Sequence, residues 1–317
     1  MSHSQFDNQP YNKSIFMTTH NSYRWSLTQQ LDHGIRGFEL DIHDSWTLFE
    51  RIKRFLTLIK IFRGKGSFKI GHWYPSHEVN HKAVGNPRGN NLKDWLGVIN
   101  NWSKSHPNHA PITVFLDIKK DLQDINNRPH KNFGLIQMNK QIFKAFEMNK
   151  GSQSHWKRFY PYSEYLEQYG SPGDSWPTIG ELRGRILIVL MSFHIFPNII
   201  EPLKPLVDIY GLPLMHTRQT YQVGEIEGHT IGSKCFVAFN PDDRDKEGFY
   251  PSLERDSMFI TAYYPDEFPN FWSQGKIIRT DYNPKQEWPP FPPYVNFPAT
   301  DRWEDPLYRD TTDKWVI

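Results

Sequence analysis

The sequence predicts an α/β protein built as a TIM-like (β/α)8 barrel, and three observations carry that reading. Apolar, β-branched runs bounded by turns and polar stretches recur eight times along 317 residues. Helical patterns fall between several of them, which is the sequence form of strand, helix, strand repeated around a parallel barrel. Polar residues suited to chemistry gather at the C-terminal ends of the first four runs, where barrels of this kind carry their sites.

The runs, in order, are "SIFMTTH" (Ser14 to His20), "GFELDI" (Gly37 to Ile42), "FKIGHW" (Phe68 to Trp73), "ITVFLDIK" (Ile112 to Lys119), "RILIVL" (Arg185 to Leu190), "CFVAFN" (Cys235 to Asn240), "MFITAYY" (Met258 to Tyr264) and "KIIRTDY" (Lys276 to Tyr282). Between them, "SLTQQLDHG" (Ser26 to Gly34) reads as a helix. So does "NLKDWLGVINNWSKSH" (Asn91 to His106), in which Leu92, Trp95, Leu96 and Ile99 share a face. No linker divides the chain, so residues 1–283 are expected to form one barrel domain. The segment 284–317 is too rich in proline for a long helix and too aromatic for a disordered tail. It is expected to wrap the barrel as an extended cover.

Composition sets bounds. With 37 basic and 35 acidic residues the net charge is +2, so no nucleic-acid partner is called for. The single cysteine, Cys235, excludes an internal disulfide, and its apolar neighbours favour a packed thiol over a nucleophile. "MSHSQFDNQPYNKSIF" lacks the basic start and apolar core of a signal peptide, and no apolar run reaches the ~20 residues needed to cross a bilayer. The expectation is a cytoplasmic protein, with attachment to a membrane surface or export without a classical leader left open. Oligomeric state is unconstrained. "NPDDRDKEG" (Asn240 to Gly248) lacks the glycine and terminal glutamate of an EF-hand and reads as a solvated loop.

In "FELDIHD" (Phe38 to Asp44), strand alternation sends Phe38, Leu40 and Ile42 to one face and Glu39 and Asp41 to the other. Two carboxylates that close repel each other unless one takes a proton or a cation joins them. His20 and Asn21 end the first run, Glu39 and Asp41 close the second, His72 closes the third, and Asp117 with Lys119 closes the fourth. Asn21, Glu39, Asp41 and Asp117 are hard oxygen donors, the set that suits Ca²⁺ or Mg²⁺. The plainer alternative is a group of rim acids paired with Lys119 or Arg36. Two histidines flanking a cation, His20 and His72, can protonate a leaving oxygen and stabilise charge on a phosphoryl group. His77, His43 and His33 compete for that role, His77 most strongly with His72.

"THNSY" (Thr19 to Tyr23), "GIRGFELDIHD" (Gly34 to Asp44), "IGHW" (Ile70 to Trp73) and "ITVFLDIK" (Ile112 to Lys119) together resemble the catalytic X-region of phosphoinositide-specific phospholipase C, in particular its calcium-dependent members. "WPTIGELRGRILIVL" (Trp176 to Leu190) is similar to the segment entering the fifth strand of the prokaryotic enzymes, and "IIRTDYN" (Ile277 to Asn283) adds a weaker match. The resemblance implies a phosphodiesterase cleaving phosphatidylinositol-type lipid to diacylglycerol and a cyclic inositol phosphate. It implies His20 as stabiliser of the phosphoryl transition state and His72 as general acid. It gives Asn21, Glu39, Asp41 and Asp117 as calcium ligands, with one of the two acids on the second run also the base for the inositol 2-hydroxyl. Asp117 stands where eukaryotic members carry a glutamate. Calcium-independent bacterial relatives have an arginine near the Asp41 position, so an acid there implies the metal-dependent branch. Lys119 and Arg279 are expected as further phosphate contacts, the alternative for both being pairing with rim acids.

Two rival functions are weighed beside this one. A glycerophosphodiester phosphodiesterase shares the barrel and the E-x-D pair but usually shows His-Arg-Gly where this chain has His-Asn-Ser. A catalytically silent lipid-binding module would use "WTLFERIKRFLTLIKIFRGKG" (Trp46 to Gly66), in which apolar residues at helical spacing alternate with Arg51, Lys53, Arg54, Lys60 and Arg63. Such a helix suits an anionic membrane surface, and equally an outer barrel helix burying its apolar stripe.

Overall fold

The computed structural model describes residues 6–44, 68–70, 78–118, 141–142, 144–146, 158–169, 175–191, 236–241, 258–261, 265–281, 294–304 and 316. Its strands are β1 (Thr18–Thr19), β2 (Gly37–Asp44), β3 (Phe68–Ile70), β4 (Ile112–Ile118), β5 (Ile186–Met191), β6 (Phe236–Phe239), β7 (Phe259–Thr261), β8 (Ile277–Asp281) and β9 (Phe297–Thr300). Eight of them pair in parallel in the cycle β1, β2, β4, β5, β6, β7, β8, β9 and back to β1. The ring is closed, as the TIM-like reading requires, and no edge is left open within it.

Two strands differ from the sequence reading. The described part of the third run does not enter the barrel: β3 runs antiparallel beside the outer half of β2, with Ile42 opposite Ile70 and His43 opposite Lys69. A short apolar alternation carries no sign of direction, and the parallel neighbour of β2 is β4. The eighth barrel strand is instead β9, drawn from the segment expected only to wrap the outside. Pro298 disguises it, since proline argues against a central strand. It is accommodated because pairing with β1 begins one residue later, at Ala299 opposite Thr18.

Alternation along the strands sorts the core into two layers. Outward-facing Phe38, Leu40, Val114, Leu116 and Ile188 pack with Leu27 and Leu31 of helix α1 (Leu27–Asp32) and with Leu92, Trp95, Leu96 and Ile99 of helix α2 (Leu92–Ser105). The α2 face read from the sequence is thus the buried one. Inward-facing Phe115, Leu187, Val189, Met191, Phe259, Ile277 and Phe297 form the second layer with Phe16, Tyr11 and Trp176. Phe16 stacks on Phe297 at 4.9 Å, and Tyr11 meets Trp176 at 5.4 Å and hydrogen-bonds Thr113, so aromatic side chains plug the N-terminal end of the strands. At the start of β2 only glycine fits, because a Cβ on Gly37 would strike the Thr18 side chain. That close approach sets β1 against β2 and brings their C-terminal ends together. No helix among the described residues is long and apolar enough to cross a membrane.

Candidate active site

The site is built on the turn that follows β1. Asn21 takes the left-handed conformation, φ 50° and ψ 50°, which an asparagine tolerates better than most side chains. A short 3₁₀ turn, Ser22–Arg24, then leads to α1. Hydroxyl and amide groups lock this corner: Thr19 Oγ1 lies 2.6 Å from Ser22 Oγ and donates to Gln30 Oε1 at 2.7 Å, and Gln30 Nε2 donates to the Ser22 carbonyl at 2.9 Å. Ser22 Oγ in turn accepts the backbone N–H of Glu39 at 2.8 Å, tying the turn to β2.

Glu39 and Asp41 of β2 point into the barrel, and register places Asp41 directly opposite Asp117 of β4. The three carboxylates are 2%, 0% and 2% exposed, and one oxygen from each lies within 4.8 Å of the others. Like charges facing each other across a strand pair repel, more so where water is excluded. Tyr23, fully buried, donates to Asp41 Oδ2 at 2.8 Å and also meets Asn21 Oδ1. Burial, and then the Asp41 charge, push its pKa far up, so the phenol stays a donor. One phenolic proton cannot serve both oxygens.

His20 stands at the edge of this cluster with its side chain 28% exposed. Its Nδ1 lies 3.2 Å from Asp301 Oδ1, just past β9, and its Nε2 lies 3.6 Å from Glu39 Oε1. Asn21 Nδ2 approaches the same ring at 3.0 Å. Asp301 also faces Arg24 Nη1 at 3.5 Å, and Arg24 is held by Glu78. Arg279 of β8 is 1% exposed; it pairs with Glu39, and its Nη2 lies 2.8 Å from Asp281 Oδ1.

The structure therefore gathers His20, Asn21, Glu39, Asp41, Asp117 and Arg279 at one end of the barrel. Arg279 pairs with acids, the alternative weighed for it in the sequence. His72 and Lys119 lie outside the described residues, as do His77 and the segment 46–66. Reading the sequence missed Tyr23, Asp281 and Asp301. Tyr23 lies inside the quoted "THNSY", and Asp281 follows Arg279 at the two-residue strand period, so both carried a local signal. Asp301 carried none, because only the pairing of β9 with β1 brings it to His20.

The donor set fits a divalent cation. Three buried carboxylates, with an amide oxygen brought beside Asp41 through Tyr23, present hard oxygens in excess of the buried guanidinium that faces them among the described residues.

A closed parallel barrel with buried acids and a half-exposed histidine at the C-terminal rim defines a class of architecture rather than an activity. No protein-family model and no curated protein matches the sequence. Solved structures do. A calcium-dependent phosphoinositol-specific phospholipase C from a Gram-negative bacterium, Pseudomonas sp., matches with a TM-score of 0.58 at 17% identity, over 93% of this chain and 91% of that one. A Ca²⁺-dependent phosphatidylinositol-specific phospholipase C from Streptomyces antibioticus matches with a TM-score of 0.51 at 15% identity, over 86% and 82%. The chain shares the fold of these two barrels over nearly their whole length.

Proposed function

We propose that the chain is a metal-dependent phosphodiesterase that cleaves a phosphatidylinositol-type phospholipid to diacylglycerol and a cyclic inositol phosphate. The observation that carries this reading is the placement of His20 between Asp301 and Glu39, at the edge of the Glu39, Asp41 and Asp117 cluster, on a barrel of the shape described.

Asn21, Glu39, Asp41 and Asp117 would hold the cation, Ca²⁺ by preference and Mg²⁺ by the same donor chemistry. When bound, the ion supplies charge neutralisation for the phosphate and acidifies the attacking hydroxyl. The chain's own groups do the rest. A carboxylate of the pair Glu39 and Asp41 takes the proton of the inositol 2-hydroxyl as its oxygen bonds to phosphorus. The bond from phosphorus to the diacylglycerol oxygen breaks, and that oxygen receives a proton from an acid, the role that falls to His72. His20, hydrogen-bonded through one ring nitrogen to Asp301, keeps the other directed into the cluster and donates to a phosphoryl oxygen as negative charge grows there. Lys119 would add a further phosphate contact.

The test is release of water-soluble inositol phosphate from phosphatidylinositol vesicles, with Ca²⁺ and with chelator, for the wild type and for His20→Ala. A cyclic product that vanishes with chelator and with the substitution is expected. Hydrolysis of glycerophosphodiesters without turnover of phosphatidylinositol would move the chain to that other reaction, and vesicle binding with no turnover of either would leave a lipid-binding module.

A further inference from the structure

We propose that Arg279 is an internal counter-cation of the site: its guanidinium holds Glu39 in the calcium-free protein and gives up that carboxylate when a divalent cation enters. The proposal rests on the metal-dependent reading above and goes beyond it in saying what the cation must displace.

Arg279 reaches across the barrel interior from β8 to β2 over the ring of Phe115, its guanidinium carbon 5.5 Å from the ring centroid. At 1% exposure and flanked by Glu39 and Asp281, it is not presented to an incoming phosphate. Yet it is not a permanent clamp either. An arginine fixed on a carboxylate uses its fork, two parallel N–H groups on two oxygens. Here the hydrogen bond to Glu39 comes from Nη2, which is also the nitrogen nearest Asp281 at 2.8 Å, and the buried Nε finds no hydrogen-bond partner among the described residues. A buried donor left unmet costs free energy, so this arrangement is a compromise between two acids.

Glu39 is the point of conflict. It belongs to two groups of ligand atoms, one with Asp41 and Asp117 and one with His20 and Asp281, each gathered within 4.8 Å. Without Arg279 these acids would face one another with no buried cation between them among the described residues. Whatever Arg279 contributes to the stability of the calcium-free protein it must therefore subtract from calcium affinity, because the two cations compete for one carboxylate. Once Glu39 turns to the metal, Asp281 remains to hold the arginine.

The probe is calcium alone, without lipid, followed by calorimetric titration and by thermal melting. Arg279→Met is expected to melt lower than wild type without calcium. It should bind calcium at least about tenfold more tightly, a floor well below the roughly thousandfold that a unit charge ~4 Å away represents at an effective dielectric near 20, and gain more in melting temperature on adding it. Arg279→Lys, which keeps the charge, should return both properties toward wild type. Unchanged or weaker calcium binding by folded Arg279→Met overturns the proposal. Should that variant fail to fold, the wild type suffices: with nitrogen-labelled arginine, the side-chain resonances of Arg279 should move when calcium is added, and a static signal overturns the proposal. Failure to cleave phospholipid leaves this outcome standing, whereas failure of the wild type to bind calcium at all ends both readings.

Discussion

Two buried arginines mark the two ends of the barrel. At the N-terminal end Arg36 is 5% exposed, donates through Nη1 to the carbonyl oxygens of Leu31 and Ile35 at 3.0 and 2.8 Å, and lies over the Trp102 ring at 5.1 Å. Burial lowers its pKa to about 10, and it remains charged near neutrality. At the other end Arg279 meets the carboxylates of Glu39 and Asp281. The histidines divide in the same way: His109, near Arg36, is buried between Ser103 and the Ala110 carbonyl, while His20 is half-exposed among acids. At one end charge is absorbed by backbone dipoles and aromatic rings, which suits a scaffold. At the other, among the described residues, carboxylates outnumber the buried guanidinium beside them, an excess that costs stability and suits the proposed cation.

If that contrast is right, damage at the two ends should separate activity from stability. The largest effect falls on His20. His20→Ala should lower turnover of phosphatidylinositol by about 10²- to 10³-fold, the range for losing one donor that stabilises developing negative charge, with little change in melting temperature because the ring is partly in solvent. Loss of stability in step with activity would erase the distinction between the ends.

Asp41→Asn should act next most strongly and in two directions. It removes one of two like charges facing each other on β2 and β4, so the calcium-free protein should melt slightly higher, by roughly 0.2–1 kcal/mol of relief. It also removes a charged oxygen from the candidate ligand set, so calcium binding should weaken at least about tenfold. A calorimetric titration beside a melting curve reads both, and a variant that is simply less stable would place Asp41 with the scaffold.

Much of this contrast is legible in the amino-acid sequence. Strand alternation is enough to separate Glu39 and Asp41 from Phe38, Leu40 and Ile42, since it needs only the two-residue period. The buried face of α2 follows from the 3.6-residue period in the same way. What local pattern does not encode is who pairs with whom. The antiparallel return of β3 and the closure of the barrel by β9 depend on contacts between distant segments, and with β9 comes Asp301, the partner of His20. Arg279 was found by its position at the end of a strand, but that it faces acids depends on β2 and β8 lying across the barrel from each other.

The scaffold end gives a pH prediction. The His109 Nδ1–H donates to the Ala110 carbonyl at 2.5 Å, and Nε2 accepts from the Ser103 hydroxyl at 2.7 Å, so the ring is neutral and fully used. Burial lowers its pKa from near 6.5 to about 4, with Arg36, His106 and Arg183 adding repulsion. The unfolded chain therefore binds this proton first as pH falls. Stability contributed by neutral His109 is complete above about 6.5 and is lost as pH drops from there toward about 4, at about 1.4 kcal/mol for each tenfold difference in proton affinity between the folded and unfolded chain. Denaturation midpoints measured across that window should fall in the wild type and fall less in His109→Gln. An equal slope in both would show that His109 does not set the acid limb.

The smallest effect should come from the seam between the two ends. Ser26 caps α1, its hydroxyl accepting from the Gln29 N–H at 3.1 Å and donating to the Val84 carbonyl at 2.6 Å. It lies close in sequence to the turn that carries His20 and Asn21, yet that turn is held to the 78–90 segment by other bonds. Asn80 donates its N–H to the Tyr23 carbonyl at 3.0 Å, and Asn86 both accepts from the Leu27 N–H at 3.0 Å and donates to the Trp25 carbonyl at 2.7 Å. Ser26→Ala should therefore cost about 1 kcal/mol of stability, as loss of a helix cap does, while turnover and calcium binding stay at wild-type values. A matching loss of activity would show that the corner carrying His20 and Asn21 is positioned by the cap of α1, and that the two ends of the barrel are less independent than their charges make them.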